Sequence, residues 1–138
     1  MLYLGSQDYS AILNHALQGL PNEVCGLIAG TVEIDNKYIE KVYMLTNIDE
    51  SNEHFTMDPK EQLLAVKDMR ANNFKLLGNF HSHPESPSRP SEEDKRLAFD
   101  SKVDYLILSL QNIDRPVLKA FLIDENKNVI EEQIEIVQ

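Results

Sequence analysis

Three prolines fall within seven residues, at positions 84, 87 and 90, and they divide this chain more sharply than any other feature. Proline fixes its own backbone angle φ and has no N–H to donate, so neither a helix nor a central strand runs through such a segment. The apolar run before it, residues 75–83, therefore ends as a strand, and the acidic run after it, residues 91–101, starts a new helix. The segment between them is predicted to be a stiff connection, because its prolines already restrict the unfolded chain.

Two further helices are predicted from apolar residues that recur at helical spacing. The first covers residues 7–19 and ends before the pair Leu20-Pro21. The second covers residues 59–72, where Asp58 is expected to cap the helix and Pro59 to take its first position. Three apolar residues of this second helix are expected to face inward: Leu63, Val66 and Met69.

The strands are predicted from short apolar runs and from alternation of apolar and polar residues. They cover residues 24–32, 37–48, 75–83, 103–111, 116–124 and 128–137. Residues 34–37 form a turn in this interpretation, so the first two strands are expected to make a hairpin. The order of elements, α-β-β-α-β-α-β-β-β, predicts an α+β domain with a mostly antiparallel mixed sheet flanked by helices.

Composition narrows the possible classes of protein. A chain of 138 residues suits a single domain, residues 1–138, and no run approaches the roughly 18 consecutive apolar residues that a membrane span needs. The net charge is −10 and the densest basic run is only Lys95-Arg96, so neither nucleic acid nor membrane is expected as a partner. A single cysteine, Cys25, excludes an internal disulfide, and no signal peptide is recognised at the start, which favours the cytoplasm.

Two histidines and an aspartate border the proline-rich connection. In an extended strand, residues two apart point to the same side, so His81 and His83 can reach toward one point while Ser82 faces away. Asp94, thirteen residues after His81, offers a carboxylate. Two imidazoles and one carboxylate leave one position open on a tetrahedral zinc ion, which is the arrangement that catalytic zinc sites need. The pattern therefore predicts a hydrolytic metal site.

Each of these residues also has a simpler interpretation. Ser91 and Asp94 match a helix N-cap followed by an acidic first turn, and the histidines could be partly buried residues at the end of a strand. Glu23, in an Asn-Glu pair after a proline, could belong to a solvated turn. The interpretations of Ser91 can coexist, because a capping serine can still direct its hydroxyl toward the site.

The spacing His81-Ser82-His83, seven residues, Ser91, two residues, Asp94 resembles the H-[ST]-H-x7-S-x2-D signature of JAMM metallopeptidases, also called MPN-domain proteins. Residues 21–27, PNEVCGL, are similar to a segment of the family's small bacterial members that contains its upstream glutamate, and residues 55–59, FTMDP, resemble the start of its second long helix. The resemblance covers most of residues 7–124. It implies the MPN fold, which is cytidine deaminase-like.

The resemblance also implies roles for single residues. His81, His83 and Asp94 are expected to bind Zn²⁺, Glu23 to act as the general acid–base, and Ser91 to donate a hydrogen bond to the oxyanion. The other histidines and the cysteine receive no such role. Cys25 and Gly26 are expected to serve packing, His15 to be structural or on the surface, and His54 either to line a substrate groove or to have no role.

The family resemblance further implies a substrate class. Residues 47–57 and 110–116 are short here, as in small stand-alone bacterial and archaeal members, some of which cut after the C-terminal Gly-Gly tail of ubiquitin-like or sulfur-carrier proteins. Such a narrow tail is expected to lie along a sheet edge, with residues 75–82 and 47–57 as its walls. The first hypothesis is therefore a zinc peptidase or isopeptidase of this kind. The alternatives are a non-catalytic MPN-type interaction module and a metal-independent binding domain.

Overall fold

A computed structural model describes all 138 residues, which form eight strands and three helices. In chain order the elements are β1 (Leu2–Gly5), α1 (Ser6–Gly19), β2 (Cys25–Glu33), β3 (Asn36–Leu45), α2 (Pro59–Ala71), β4 (Lys75–His83), α3 (Glu92–Arg96), β5 (Asp104–Ser109), β6 (Val117–Ile123), β7 (Val129–Glu132) and β8 (Ile134–Val137). None of these helices combines the length and the apolarity that crossing a membrane requires.

All eight strands belong to one sheet, in the order β7-β6-β5-β4-β2-β3-β1-β8. Four of its seven neighbouring pairs are antiparallel, and the pairs β1/β3, β1/β8 and β4/β5 are parallel. The predicted α+β architecture with a mostly antiparallel mixed sheet is confirmed, and so is the hairpin of β2 and β3. Strand β4 lies at the centre, hydrogen-bonded to β2 on one side and to β5 on the other.

The two edges of the sheet are connected directly by the chain. Strand β7 pairs with β6 at one edge, β8 pairs with β1 at the other, and only Gln133 separates them. The prediction of one strand over residues 128–137 is therefore wrong, because the alternation of side chains continues through a residue at which the backbone changes partner. Strand β1 is absent from the prediction, since four residues are too few to show a clear periodicity.

Helix α3 is shorter than predicted, ending at Arg96 instead of near residue 101. Beyond its end, the carbonyl of Ala98 accepts a hydrogen bond from Lys127 Nζ at 2.6 Å, and the carbonyl of Asp100 accepts one from the Tyr105 hydroxyl at 3.0 Å. These partners are distant in sequence or belong to the next strand. The local sequence of residues 91–101 therefore gives no sign of the contacts that the chain makes beyond the end of the helix.

Helix α2 begins as predicted, with Pro59 at its start and the Asp58 carboxylate accepting from the Lys60 N–H at 2.9 Å. The expectation that Leu63 faces inward is wrong, because its side chain is 56% exposed. Ala65 and Met69 form the buried side of the helix instead. Leu63 precedes Ala65 by two residues, which places it on the opposite side of a helix with 3.6 residues per turn.

The first six residues of strand β2, 25–30, are buried on both faces, which explains their continuous apolar sequence. Val24 and Ile28 belong to the larger of two hydrophobic clusters, which includes residues of α1. Cys25 is fully buried in the smaller cluster, which includes residues of α2, so the expectation that it serves packing is confirmed. Gly26 lies between Val24 and Ile28 along the chain. A Cβ atom on Gly26 would lie 2.2 Å from the ring of Phe80, so a side chain at this position would displace its neighbours.

Charged side chains of β3, β5 and β7 form a small group of ion pairs. Asp104 is fully buried and its carboxylate is 2.7 Å from Lys37 Nζ, which is 3.6 Å from Glu132. The amino group of Met1 contacts Glu132 at 3.5 Å. Burial, together with the neighbouring Glu132 carboxyl, raises the pKa of Asp104 to about 7, although the Lys37 ammonium opposes the shift.

We expect Asp104→Asn to change the pH dependence of stability. Folded Asp104 keeps its proton up to a pH of about 7, whereas a carboxyl with the ordinary pKa of 3.8 releases it earlier in the unfolded chain. As the pH rises through this window, the wild-type protein therefore loses stability from this group, on the order of 4 kcal/mol at most, and the asparagine variant does not. Urea unfolding across this range measures the difference.

Asp114→Asn, at an exposed position, is the matched control for the loss of one carboxyl. A difference in stability between Asp104→Asn and wild type that does not vary with pH would contradict the assignment of a raised pKa to Asp104.

Candidate metal centre

The two histidines of the predicted site lie at the end of the central strand β4. His81 pairs with Cys25 of β2 and with Ile107 of β5, so its backbone is fixed from both sides. His81 and His83 are both buried, at 2% and 4% exposure. Ser82, between them, points the other way, as the alternation of a strand requires. Its Oγ accepts a hydrogen bond from the Val24 N–H at 2.9 Å.

The proline-rich connection after β4 is held against β5 by two serine hydroxyls. Ser88 Oγ donates to the carbonyl of Ile107 at 2.6 Å, and Ser109 Oγ donates to the carbonyl of Ser86 at 2.6 Å. Between these two contacts, the carbonyl of Pro87 lies 2.9 Å from His83 Nδ1. A carbonyl can only accept, so this contact places the proton of His83 on Nδ1 and leaves the lone pair on Nε2.

Asp94 reaches the same point from helix α3. The Ser91 N–H donates to Asp94 Oδ2 at 2.9 Å, and the Asp94 N–H donates to Ser91 Oγ at 3.0 Å, which together form a capping box. The same Oδ2 atom lies 3.2 Å from both histidine Nε2 atoms. The capping interpretation of these two residues is therefore confirmed, and it places the Asp94 carboxylate beside the histidines.

The three candidate ligand atoms form a compact triangle. The two Nε2 atoms of His81 and His83 are 3.0 Å apart, and each is 3.2 Å from Asp94 Oδ2. Ligand bonds of about 2.0–2.1 Å in a tetrahedral zinc site put neighbouring donors roughly 3.3 Å apart. Two nitrogens and one carboxylate oxygen at these separations fit a zinc ion with one further position open.

The electrostatics of the triangle favour metal ligands. Burial opposes ionisation of Asp94, but hydrogen bonds with His81 and His83 hold its pKa below the ordinary range, so it is a carboxylate. Burial lowers the pKa of His81 despite the neighbouring Asp94, which keeps that ring neutral. For His83, burial is outweighed by hydrogen bonds with Asp94 and the Pro87 carbonyl, and the pKa is raised. A proton at His83 therefore competes with a metal as the pH falls.

Glu23 lies immediately before β2 and is only 5% exposed, so the interpretation as a solvated turn is wrong. Burial raises the pKa of Glu23 to about 8; His83 opposes this shift, whereas Asp94 adds to it. Its Oε1 atom is buried and has no hydrogen-bond partner in the protein. A buried carboxyl that interacts with His83 and Asp94 is suited to exchange a proton at the triangle.

A cleft of about 290 Å³ opens beside His81 and Asp94. Its wall includes Asn79 of β4, Phe55 and Met57 of the segment between β3 and α2, and Leu97 and Phe99 after α3. His54 also lines this cleft, which agrees with the first of its two predicted alternatives.

The contacts of two site residues, Phe55 and Ser82, are not predicted from the sequence. The ring of Phe55 stacks on His81, with centroids 4.6 Å apart and planes 27° from parallel. Ser82 holds the segment that carries Glu23, through its contact with Val24. The position of Ser82 between two histidines could have drawn attention to it. Phe55 carries no signal in its spacing, since its contact with His81 depends on the path of the preceding loop.

Comparison with known proteins gives consistent results. A model of the family described as prokaryotic homologues of the JAB domain matches residues 6–123. The CysO-cysteine peptidase of Mycobacterium tuberculosis is 28% identical over 138 residues, covering 100% of this chain and 92% of that protein. A desampylase of Pyrococcus furiosus is 31% identical over 128 residues, covering 93% of this chain and 86% of that protein.

A solved structure shares the whole architecture. The solution structure of a Desulfitobacterium hafniense protein has a TM-score of 0.92 and 53% sequence identity to this chain. The match covers 100% of this chain and 94% of the other.

We expect the purified protein to bind about one zinc ion per chain, since one set of three ligand atoms is present. His83→Ala and Asp94→Ala should each abolish stoichiometric zinc binding, measured by elemental analysis, and should remove the rise in Tm that zinc causes. Zinc occupancy should also fall as the pH decreases, because metal ligands must be deprotonated. His54→Ala, a histidine of the same cleft outside the triangle, should bind zinc normally; equal loss in this control would contradict the assignment.

Proposed function

Because the chain belongs to the family of prokaryotic homologues of the JAB domain, we propose that it is a zinc-dependent peptidase or isopeptidase. Its substrate is an amide bond that follows the C-terminal Gly-Gly tail of a ubiquitin-like or sulfur-carrier protein. One observation supports the proposal most directly: the ligand atoms of His81, His83 and Asp94 form a compact triangle, and the buried Glu23 carboxyl interacts electrostatically with His83 and Asp94.

In this proposal His81, His83 and Asp94 hold the zinc ion. A zinc ion in such a site acts as a Lewis acid and brings the pKa of a bound water to about 7. Asp94 contributes the negative charge, and the Pro87 carbonyl keeps the His83 ring in the tautomer whose Nε2 faces the site.

Glu23 moves the proton in the proposed reaction. In the metal-free protein the pKa of Glu23 is raised to about 8, and the positive charge of a bound zinc ion would lower it toward neutral pH, where the group can both take up and release a proton. Glu23 accepts the proton of the attacking water and later delivers it to the amine that leaves. The unpartnered Oε1 atom provides an acceptor that no other protein group occupies.

Ser91 stabilises charge on the substrate in the proposed reaction. Its Oγ accepts from the Asp94 N–H, and this contact leaves the hydroxyl proton free to donate. We propose that this proton is donated to the substrate carbonyl oxygen as negative charge develops there.

The cleft beside His81 and Asp94 supports the proposal that a Gly-Gly tail binds here. The expected pairing of the tail with residues 75–82 needs one change. Strand β4 is paired on both sides, so a tail cannot add to it as a further strand. Residues 75–82 can therefore contribute side chains such as Asn79 to the cleft wall, and main-chain pairing is left to residues 47–57. The names of the relatives, a peptidase for a CysO-cysteine conjugate and a desampylase, agree with a carrier-protein substrate.

The alternative of a non-catalytic interaction module has less support. Such a module needs neither a buried carboxyl beside a metal site nor all five of the residues that the family resemblance assigns to catalysis. It predicts a stable complex with the carrier protein and no hydrolysis by the zinc-loaded wild-type protein.

Glu23→Gln should abolish cleavage and keep zinc. We expect a loss of about 100–10,000-fold in kcat, the usual contribution of a general acid–base group. The substrate is a small ubiquitin-fold carrier that ends in Gly-Gly and is linked to a single amino acid or to a lysine side chain, and mass spectrometry detects the release. Glu53→Gln, an exposed carboxyl that contributes to the same electrostatic field, is the matched control and should remain active. Cleavage by Glu23→Gln at the wild-type rate would remove Glu23 from the mechanism.

Ser91→Gly should separate the catalytic role of Ser91 from its capping role. Glycine at an N-cap lowers stability by only a few tenths of a kcal/mol compared with serine, so the Tm should change little. Loss of a donor to the oxyanion should still lower kcat by about 100–1,000-fold. A variant with nearly normal kcat would show that Ser91 only caps helix α3.

A further inference from the structure

The Asn47 side chain makes four hydrogen bonds, one to the segment that carries Glu23 and three within its own loop. Its amide Nδ2 donates to the carbonyl of Glu23 at 3.0 Å and to the carbonyl of His54 at 3.1 Å. Its Oδ1 accepts from the N–H of Asp49 at 3.0 Å and from the N–H of Thr56 at 3.1 Å. All the hydrogen-bonding positions of this amide are therefore occupied.

These contacts fold residues 47–57 into a closed loop. An isolated β-bridge joins Asn47 to Met57, and the Ile48 N–H donates to the carbonyl of Thr56 at 2.9 Å. Across the base of the loop, the Asp49 carboxylate contacts His54 Nδ1 at 3.1 Å and accepts from the Thr56 hydroxyl.

The closed loop contacts both Glu23 and the candidate metal ligand His81. At Glu23, the carbonyl accepts from Asn47 and the N–H donates to the carbonyl of Ser51 at 2.7 Å, so both of its peptide groups are held by the loop. At the metal ligands, Phe55 covers the ring of His81. One loop therefore fixes the backbone of the proposed proton carrier and one face of a proposed ligand.

We propose that Asn47 is a positioning residue for the reaction, which fixes Glu23 against the metal ligands through the hydrogen bond from its Nδ2 to the Glu23 carbonyl. This inference rests on the proposed function. The buried Glu23 side chain lacks a hydrogen bond at Oε1, so its placement depends on the backbone from which it extends. Because misplacement of a reacting group by about 1 Å can lower a rate by about 100-fold, a backbone contact of this kind bears directly on turnover.

Asn47→Asp tests the inference with a side chain of the same shape. Aspartate keeps an acceptor for the N–H groups of Asp49 and Thr56, but it cannot donate to Glu23. We expect kcat to fall about 10–100-fold, with KM and zinc content close to wild type. Combined with Glu23→Gln, the variant should cause no further loss, since Asn47 acts through Glu23.

A second measurement does not depend on activity. In zinc-free protein, the amide hydrogen of Glu23 should exchange with solvent about tenfold faster in Asn47→Asp than in wild type. Asn47→Ala, which is neutral and cannot donate, separates the lost donor from the added charge; it should show the same two changes and replaces the aspartate variant if that one does not fold.

The matched control is Asn72→Asp, an exposed asparagine outside the site whose Nδ2 also donates to a backbone carbonyl, that of Asp68, at 2.8 Å. It should change neither kcat nor the exchange of the Glu23 amide by more than about twofold. The inference is overturned by normal kcat and normal Glu23 exchange in the Asn47 variants, by equal losses in Asn72→Asp, or by a loss of zinc that accounts for the lower activity. If the wild-type protein cleaves no carrier conjugate, the proposed function fails, while the exchange measurement still decides whether Asn47 holds Glu23.

Discussion

The antiparallel pairing of β2 with β4 is the interaction on which the candidate site depends. At the end of this pairing, the Ser82 N–H donates to the Val24 carbonyl at 3.0 Å, and Ser82 Oγ accepts from the Val24 N–H at 2.9 Å. Continuing the same register places Glu23 beside His83, and alternation turns Glu23, His81 and His83 to one side of the sheet. A slip of one residue would turn Glu23 to the other side, so the chemistry of the site depends on the register of the two central strands.

The third candidate ligand, Asp94, is positioned in a different way, by contacts that are local in sequence. The Asp94 carboxylate is fixed by a capping box with Ser91, three residues away, and the prolines and serines of the preceding connection determine where that box lies. The capping and catalytic interpretations of these residues describe a single geometry. The oxygen that caps the Ser91 N–H is the one that faces both imidazoles, and the serine hydroxyl that accepts from Asp94 retains its proton.

The sequence predicts those features that depend on residues close together in the chain. It does not predict features that depend on contacts between residues far apart in sequence. The spacing from His81 to Asp94 identifies the triangle, because a strand, a stiff connection and a capped helix start each have a clear sequence pattern. The partner change at Gln133 and the early end of α3 depend on contacts between segments far apart in sequence, or on strand order. Asn47 belongs to the same group: an asparagine in a polar loop has no periodic pattern, and its importance appears only when Glu23 is found at the other end of its hydrogen bond.

Burial of the polar groups of the site reduces the stability of the fold. The central position of the site in the sheet still keeps these groups in place. Glu23 is held in a place that disfavours its charge, so its raised pKa reflects a cost of folding at neutral pH. That cost falls on the segment that leads directly into β2, one of the two most central strands, where the hydrophobic clusters on both faces of β2 fix the backbone. A rigid support of this kind lets charged and proton-carrying groups stay in position without reorganising during a reaction, which is the condition under which fixed dipoles and charges are most effective. The same polar groups at an edge such as β8 would be as costly to bury and would lack that support.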